Sequence, residues 1–356
     1  INFKRLIILI IMTSSNKTLL AYFLYLTIAC IFFLTFHINE FPNKYTFTDW
    51  LINYEGGFVR RGIIGQIVFE LSNFLKFQIK FVILFFQITI YSTYFLLFYI
   101  TLSKIKNNFF WFLVIFSPIL FFYPLGELEA LGRKDIFVIS IFLIFSITNY
   151  KSLNTLMLSF ITYFGLSCLI HEITIFYIFH YFLVLYVKNR FSFNQQIDKK
   201  YYLIFVCYIV VLLYLNLYLH NFVIIEDIVN SYNYESLTVE SGSFSHIRPL
   251  IDSVFLKTIY SINITSVVRY GFLLLINMIP LIFFIKIKNK YENKNFNFHN
   301  IFFIIILLSL PLYSLMLDWG RVIYINHNFF IIIIIFIFNL KLIDEGYLKK
   351  RINSLS

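Results

Sequence analysis

Residues 79–100 read IKFVILFFQITIYSTYFLLFYI, a run in which Lys80 is the one charge. At 1.5 Å per residue, such a run matches the roughly 30 Å hydrocarbon core of a bilayer. It is not alone. The 356 residues are 60% apolar and only 13% charged, with a mean hydropathy of +0.81. Soluble domains run near half apolar and about a quarter charged. The excess lies in a succession of apolar runs rather than in one core, which excludes a soluble globular enzyme, a disordered binder and a disulfide-stapled secreted domain. The expected fold is an all-α, polytopic transmembrane helical bundle.

Ten spans are read, at about 19–36, 79–100, 109–123, 136–149, 153–170, 173–187, 201–219, 267–285, 301–317 and 322–340. Their orientation follows from Lys and Arg placement. With both termini in the cytoplasm, the cytoplasmic segments hold 18 basic residues against four acids, a net of +14. The outer segments hold 11 against 14, a net of −3. A bias of that size fixes the orientation. Residues 62–75 are too short for an eleventh span, carry Gln66 and Glu70, and would invert every later loop, so an interfacial or re-entrant helix is expected there. The first outer loop covers 37–78 and the longest one 220–266. The whole chain, 1–356, reads as a single integral membrane domain.

The net charge of +11 does not indicate a nucleic-acid partner, because the basic residues sit between apolar runs and form no basic face. Cys30, Cys168 and Cys207 all lie inside apolar runs without paired spacing, so neither a disulfide framework nor a zinc site is expected. Phe (47) and Tyr (26) are abundant together with Ile, Asn and Lys, the residues of AT-rich codons. Aromatic content therefore carries no functional weight by itself. Residues 5–12 lack a small-residue cleavage site, so a removable signal peptide is not expected, and Met12 is an alternative start.

The chemistry concentrates in the outer loops. The first contains Asp49-Trp50 and then NYEGGFVRRG at 53–62, with Glu55, Arg60 and Arg61. Gly56 and Gly57 permit close backbone approach or positive φ, and Gly62 opens a helix whose amides can face an anion. Two arginines there suit a phosphate or pyrophosphate, and the blander alternative is an interfacial anchor built on Trp50. The second loop holds Glu127, Glu129 and the run Gly132-Arg133-Lys134-Asp135, readable as a second polar wall of one site or as helix capping by Asp135. His171-Glu172 lies in the turn between two spans, where ionisable groups are costly unless paired or functional. An imidazole there could act as a general base. The long loop carries SGSFSHIRP at 241–249, a mobile flap or an ordinary surface loop. Asp318-Trp319-Gly320-Arg321 joins the last two spans, as an ion pair beneath an interfacial Trp or as part of the site.

Collectively, these charges fall on one side of the membrane, whereas the span centres are nearly free of ionisable groups, His180 being the main exception. An ion-coupled pump is expected to show acids or bases near the midplane. No nucleotide-binding, metalloprotease or serine-hydrolase motif is present. Energy for a reaction must then come from a substrate already activated in the membrane, such as a polyprenyl phosphate or pyrophosphate sugar, whose leaving group cations stabilise.

With this topology, the stretches NYEGGFVRRG (53–62), GRKD (132–135), His171-Glu172 and DWGR (318–321) resemble patterns of surface-polysaccharide membrane proteins, and the chain as a whole resembles bacterial O-antigen polymerases. One long outer loop stands where many of that family have two. The resemblance implies an inner-membrane enzyme, active at the periplasmic face, that joins undecaprenyl-pyrophosphate-linked repeats without cofactor or metal. Its partners would be that lipid-linked glycan, membrane lipid and a chain-length regulator. It assigns pyrophosphate binding to Arg60 and Arg61, with Arg133, Lys134, Arg248 and Arg321. His171 or Glu172 would activate the acceptor, with Asp318 as runner-up. Two alternatives stand beside it. A type-C membrane glycosyltransferase would use a polyprenyl monophosphate sugar, often a metal, and Asp49 or Glu55 as base. A lipid-linked oligosaccharide flippase would line a cavity through the membrane with charge.

Overall fold

The computed structural model describes residues 14–42, 44–105, 120–127, 130–193, 195–214, 222–247, 264–283 and 318–340, with 308, 312 and 342. Among these residues the regular structure is helical and no strand occurs. The longer helices are α1 (Ser14–His37), α2 (Gly62–Leu75), α3 (Ile79–Leu102), α4 (Asp135–Ile147), α5 (Leu153–Ile170), α6 (Ile178–Lys188), α7 (Lys199–Leu213), α8 (Ile264–Phe283) and α9 (Trp319–Asn339).

Four of the described helices are long and apolar enough to cross a membrane: Asn16–Glu40, which extends α1, and α3, α5 and α9. A helix in lipid must satisfy its own polar groups. In α1 the hydroxyls of Thr27 and Thr35 bond back to the carbonyls of Phe23 and Phe32, each at 2.8 Å. Helix α5 starts on a capping box, with Ser152 and Thr155 exchanging side-chain and backbone bonds. The span read at 136–149 is the 13-residue α4. The one at 173–187 is broken, because Glu172–Tyr177 forms a 3₁₀ segment before the 11-residue α6. The spans at 109–123 and 301–317 lie almost wholly outside the described residues, as do both chain ends.

Helix α9 is the axis of the bundle. Every residue from Arg321 to Phe338 is buried, and α9 packs against α4, α6 and α8. Helix α4 in turn lies between α9, α3 and α5, and α1 packs on α3. Some polar residues inside this core are paired. Tyr94 donates to Asn328 Oδ1 at 2.5 Å, and Asn328 Nδ2 donates to the Tyr324 carbonyl at 2.9 Å. His327 of α9 is buried as well, so His180 is not the only buried imidazole within a helix among the described residues.

Residues 62–75 form a helix of 14 residues rather than a span. It buries Gly62, Ile64, Gly65 and Val68 and leaves Ile67 and Phe74 exposed. The described parts of the two loops read as outer, 37–78 and 220–266, fold on each other. Ile224 N donates to the Gly56 carbonyl (2.9 Å), Ser243 N to Thr48 Oγ1 (2.8 Å), Tyr232 Oη to the Leu51 carbonyl (2.7 Å) and Asn53 Nδ2 to Ser231 Oγ (3.0 Å). A Cβ on Gly56 would sit 2.0 Å from the Ile224 oxygen, so the crossing requires glycine there. Phe244 and Ile228 are fully buried beneath. Residues 222–247 thus fold against the first loop, and Ser243 and Phe244, from the stretch at 241–249 read as a flap or an ordinary surface loop, are buried there.

Candidate functional site

The backbone sets the stage before any charge is placed. Trp50 Nε1 donates to the Gly132 carbonyl at 2.6 Å, and Gln87 Nε2 donates to the same oxygen at 3.0 Å. Gly132 has φ +81°, and a Cβ there would lie 2.6 Å from Gln87 Nε2, so this turn needs glycine. Trp50 is fully buried. It braces the second loop and is no headgroup anchor. The turn delivers Arg133, Lys134 and Asp135 to the start of α4, where the first loop and the 171–172 turn already converge.

Charged side chains from four separate segments meet there. Arg61 Nε lies 2.8 and 2.9 Å from the two Glu172 oxygens, a bidentate fork. Its Nη1 is 3.8 Å from Asp49 Oδ1. Arg321 grips both oxygens of Asp135, and its Nη2 lies 2.6 Å from His171 Nε2. A guanidinium only donates, so Nε2 is the acceptor in that contact, while Nδ1 lies 3.3 Å from Ile173 N and 3.5 Å from Glu172 Oε2. Lys134, 0% exposed, donates to the Arg61 carbonyl at 2.7 Å. Arg61 itself has φ +66° at the start of α2, a conformation rare for a side chain-bearing residue, and Lys134 and Glu172 hold it from both ends.

This convergence was legible as a set of charges on one side of the membrane. Its pairing was not. Asp135, read as a helix cap, makes no capping bond and instead neutralises Arg321. Arg61 and Arg321, read as pyrophosphate ligands, are each committed to an internal carboxylate. Arg60 stands at the edge of the cluster, donating to the Ile247 carbonyl at 3.1 Å, and has no ion-pair partner among the described residues. Arg133 pairs with Asp318 at 3.2 Å. Glu55 is exposed and 3.4 Å from Gln66 Nε2, outside the cluster. Arg248 lies outside the described residues. The signal for Asp135 and Arg321 was present, since each sits at the mouth of a span where lone charge is costly.

Asp49 stands apart from the other acids. It is 3% exposed, and neither carboxylate oxygen has a hydrogen-bond partner among the described residues. Burial alone would raise its pKa, but Lys134 and Arg61 hold it below the usual carboxylate value. It is therefore a desolvated anion with free lone pairs. Lys134 is pulled the other way, its ammonium lowered by burial to about 8 although Asp49 opposes the shift. His171 is lowered to about 3, by burial first and then by Arg61 and Arg321, so it is neutral near pH 7. Among the described residues no group of three or more His, Cys, Asp and Glu side chains is arranged to hold a metal ion.

These shifts have a pH signature. Between about 8 and the unfolded lysine value of roughly 10.4, the unfolded chain binds a proton that folded Lys134 does not. Stability contributed by Lys134 therefore rises with pH across that window, and Lys134→Met should flatten the rise. His171 gives the same sign between about 3 and roughly 6.5, so stability falls as acid is added. Thermal unfolding of the purified chain in detergent from pH 4 to 10 checks both limbs.

A scan of protein-family models and searches of curated proteins and of solved structures return no match to this chain.

Proposed function

We propose that the protein is a membrane glycosyltransferase that draws on a polyprenyl-phosphate-linked sugar or glycan at the outer face. The observation that carries this reading is Asp49, a buried carboxylate with both oxygens unpartnered among cations. Buried polar groups are normally satisfied, and an anion left open is one reserved for a donor that arrives with a substrate. An acceptor hydroxyl is such a donor. Asp49 takes its proton, the oxygen attacks the anomeric carbon, and the bond from that carbon to the phosphate oxygen breaks. Arg60, with no ion-pair partner among the described residues, is then left to take up the developing phosphate charge.

His171 is a weaker base than its sequence position implied, because Arg321 occupies its Nε2 lone pair. Glu172 is spent on Arg61 and Asp318 on Arg133. With the base in the first outer loop, the geometry favours the type-C reading with a monophosphate donor. The polymerase reading keeps its support from the general resemblance to O-antigen polymerases.

The discriminating experiment is the lipopolysaccharide ladder of a deletion strain complemented with wild type or Asp49→Asn. A ladder collapsed to one repeat assigns the polymerase. Loss of even that repeat assigns an earlier transferase, and divalent-metal dependence of transfer in membranes separates it from a flippase. An unchanged ladder and unchanged surface glycan overturn the proposal.

A further inference from the structure

Beside the ion-pair cluster lies a second group of side chains that the reaction above does not use. Arg133 Cζ stands 5.5 Å over the Tyr45 ring, and Arg133 Nη1 is 3.2 Å from Asp318 Oδ2. Trp319 packs edge-on to Tyr270, with centroids 5.5 Å apart. Tyr123 stacks on Tyr324 at 4.9 Å. Gly320 lets the Tyr123 and Tyr270 rings come close to the backbone beside Trp319, since a Cβ there would lie 3.0 Å from Tyr123 Oη and 3.6 Å from Tyr270 Cε1. The four rings of Tyr45, Tyr123, Tyr270 and Trp319 are half-buried. The Asp318 side chain is 42% exposed against 13% for Arg133.

Rings of this chain that face outward look different. Tyr25 is 62% exposed and Phe85 66%, as an aromatic surface bathed in lipid would be. The Asp318 rings instead surround an accessible carboxylate. An apolar ring face beside a carboxylate–guanidinium pair is complementary to a sugar, which offers one face of C–H groups and an edge of hydroxyls. The hydroxyls can donate to Asp318 and accept from Arg133, and the C–H face lies against Trp319 or Tyr45. The set adjoins the cluster through two backbone links, Arg133 to Lys134 and Asp318 to Arg321, whose amide donates to Asp318 Oδ1 at 3.2 Å.

We propose that Tyr45, Tyr123, Tyr270, Trp319, Arg133 and Asp318 form a saccharide subsite that holds the acceptor glycan next to Asp49. This rests on the glycosyl-transfer reading and adds where the acceptor sits. The subsite orients substrate and takes no part in bond making.

The test uses the full chain purified in detergent. The probe is the oligosaccharide released by mild acid from the lipopolysaccharide of the strain that carries the gene, titrated by calorimetry and by tryptophan fluorescence. Wild type should bind, and Trp319→Leu and Tyr45→Leu should each weaken binding about tenfold. Trp319→Tyr, which keeps a ring, should retain most of the affinity, and matching thermal midpoints show that the variants fold. In membranes the same leucine variants should raise KM for acceptor with little change in kcat. Equal binding by wild type and both leucine variants overturns the subsite. So does binding of the rings to lipid vesicles alone, with no response to saccharide. If the deletion strain's glycan is unchanged, the transfer reading fails instead. If the deletion alters the glycan while Trp319→Leu complements fully and binds as wild type, only the subsite fails.

Discussion

Asp135→Ala is expected to cost the folded protein about 3–5 kcal/mol, the largest stability loss of any single change in the cluster. The pair it breaks is buried at both ends, with side chains 7% exposed on each. Removing the carboxylate leaves Arg321 in a dry interior with the neutral His171 as its side-chain hydrogen-bond partner and only the through-space fields of Asp49 and Asp318 against its charge. A guanidinium cannot escape by losing its proton, so the whole desolvation penalty is exposed. Replacing both partners, as Asp135→Ala with Arg321→Met, should recover much of the loss, because an apolar pair of similar volume has no charge to solvate. Denaturant or thermal unfolding of the single and double variants in detergent measures this. A single variant as stable as wild type would show that Arg321 has another partner.

Asp49→Asn is expected to do the reverse: to remove activity while leaving most of the stability. A positioned general base contributes roughly 10²–10⁴-fold to rate. The amide has nearly the same shape and cannot take the acceptor proton, so transfer in isolated membranes should fall by about that factor. Stability should change less than for Asp135→Ala, since Asp49 accepts no hydrogen bond and its nearest cation contact is 3.8 Å. Glu55→Gln, in the same loop but exposed, should be nearly silent. If Glu55→Gln rather than Asp49→Asn stops transfer, the base has been placed on the wrong carboxylate.

The helical, membrane-type character of the chain was readable because it depends on composition over long windows. The run at 79–100 returns as α3 almost residue for residue. Boundaries were less legible where polar residues enter: the span expected at 173–187 opens on the 3₁₀ segment Glu172–Tyr177, whose first side chain is drawn to Arg61. The site shows the same division. That Arg61, Lys134, His171 and Arg321 gather at one end of the bundle follows from hydropathy and loop charge. Which acid takes which base does not, because pairing depends on the rotation of each helix about its axis, to which a span-counting argument is blind. Trp50 illustrates the limit. Its sequence context suits a membrane anchor, yet Gly132, 82 residues away, supplies a carbonyl that draws it inside.

The bond between Arg321 and Asp135 spans 186 residues of sequence. At roughly 5–20 residues per second, about 10–40 s separate the synthesis of its two ends. Throughout that interval Asp135 and His171 wait in a half-built bundle without the cation that neutralises one and orients the other. The arrival of α9 closes the bundle and satisfies both at once. A ribosome that stalls before residue 321 therefore releases a chain with a bare acid at the mouth of a helix, a defect that membrane proteases and insertion chaperones are suited to detect. Helix α9 is thus the late partner in time as well as the axis of the described fold.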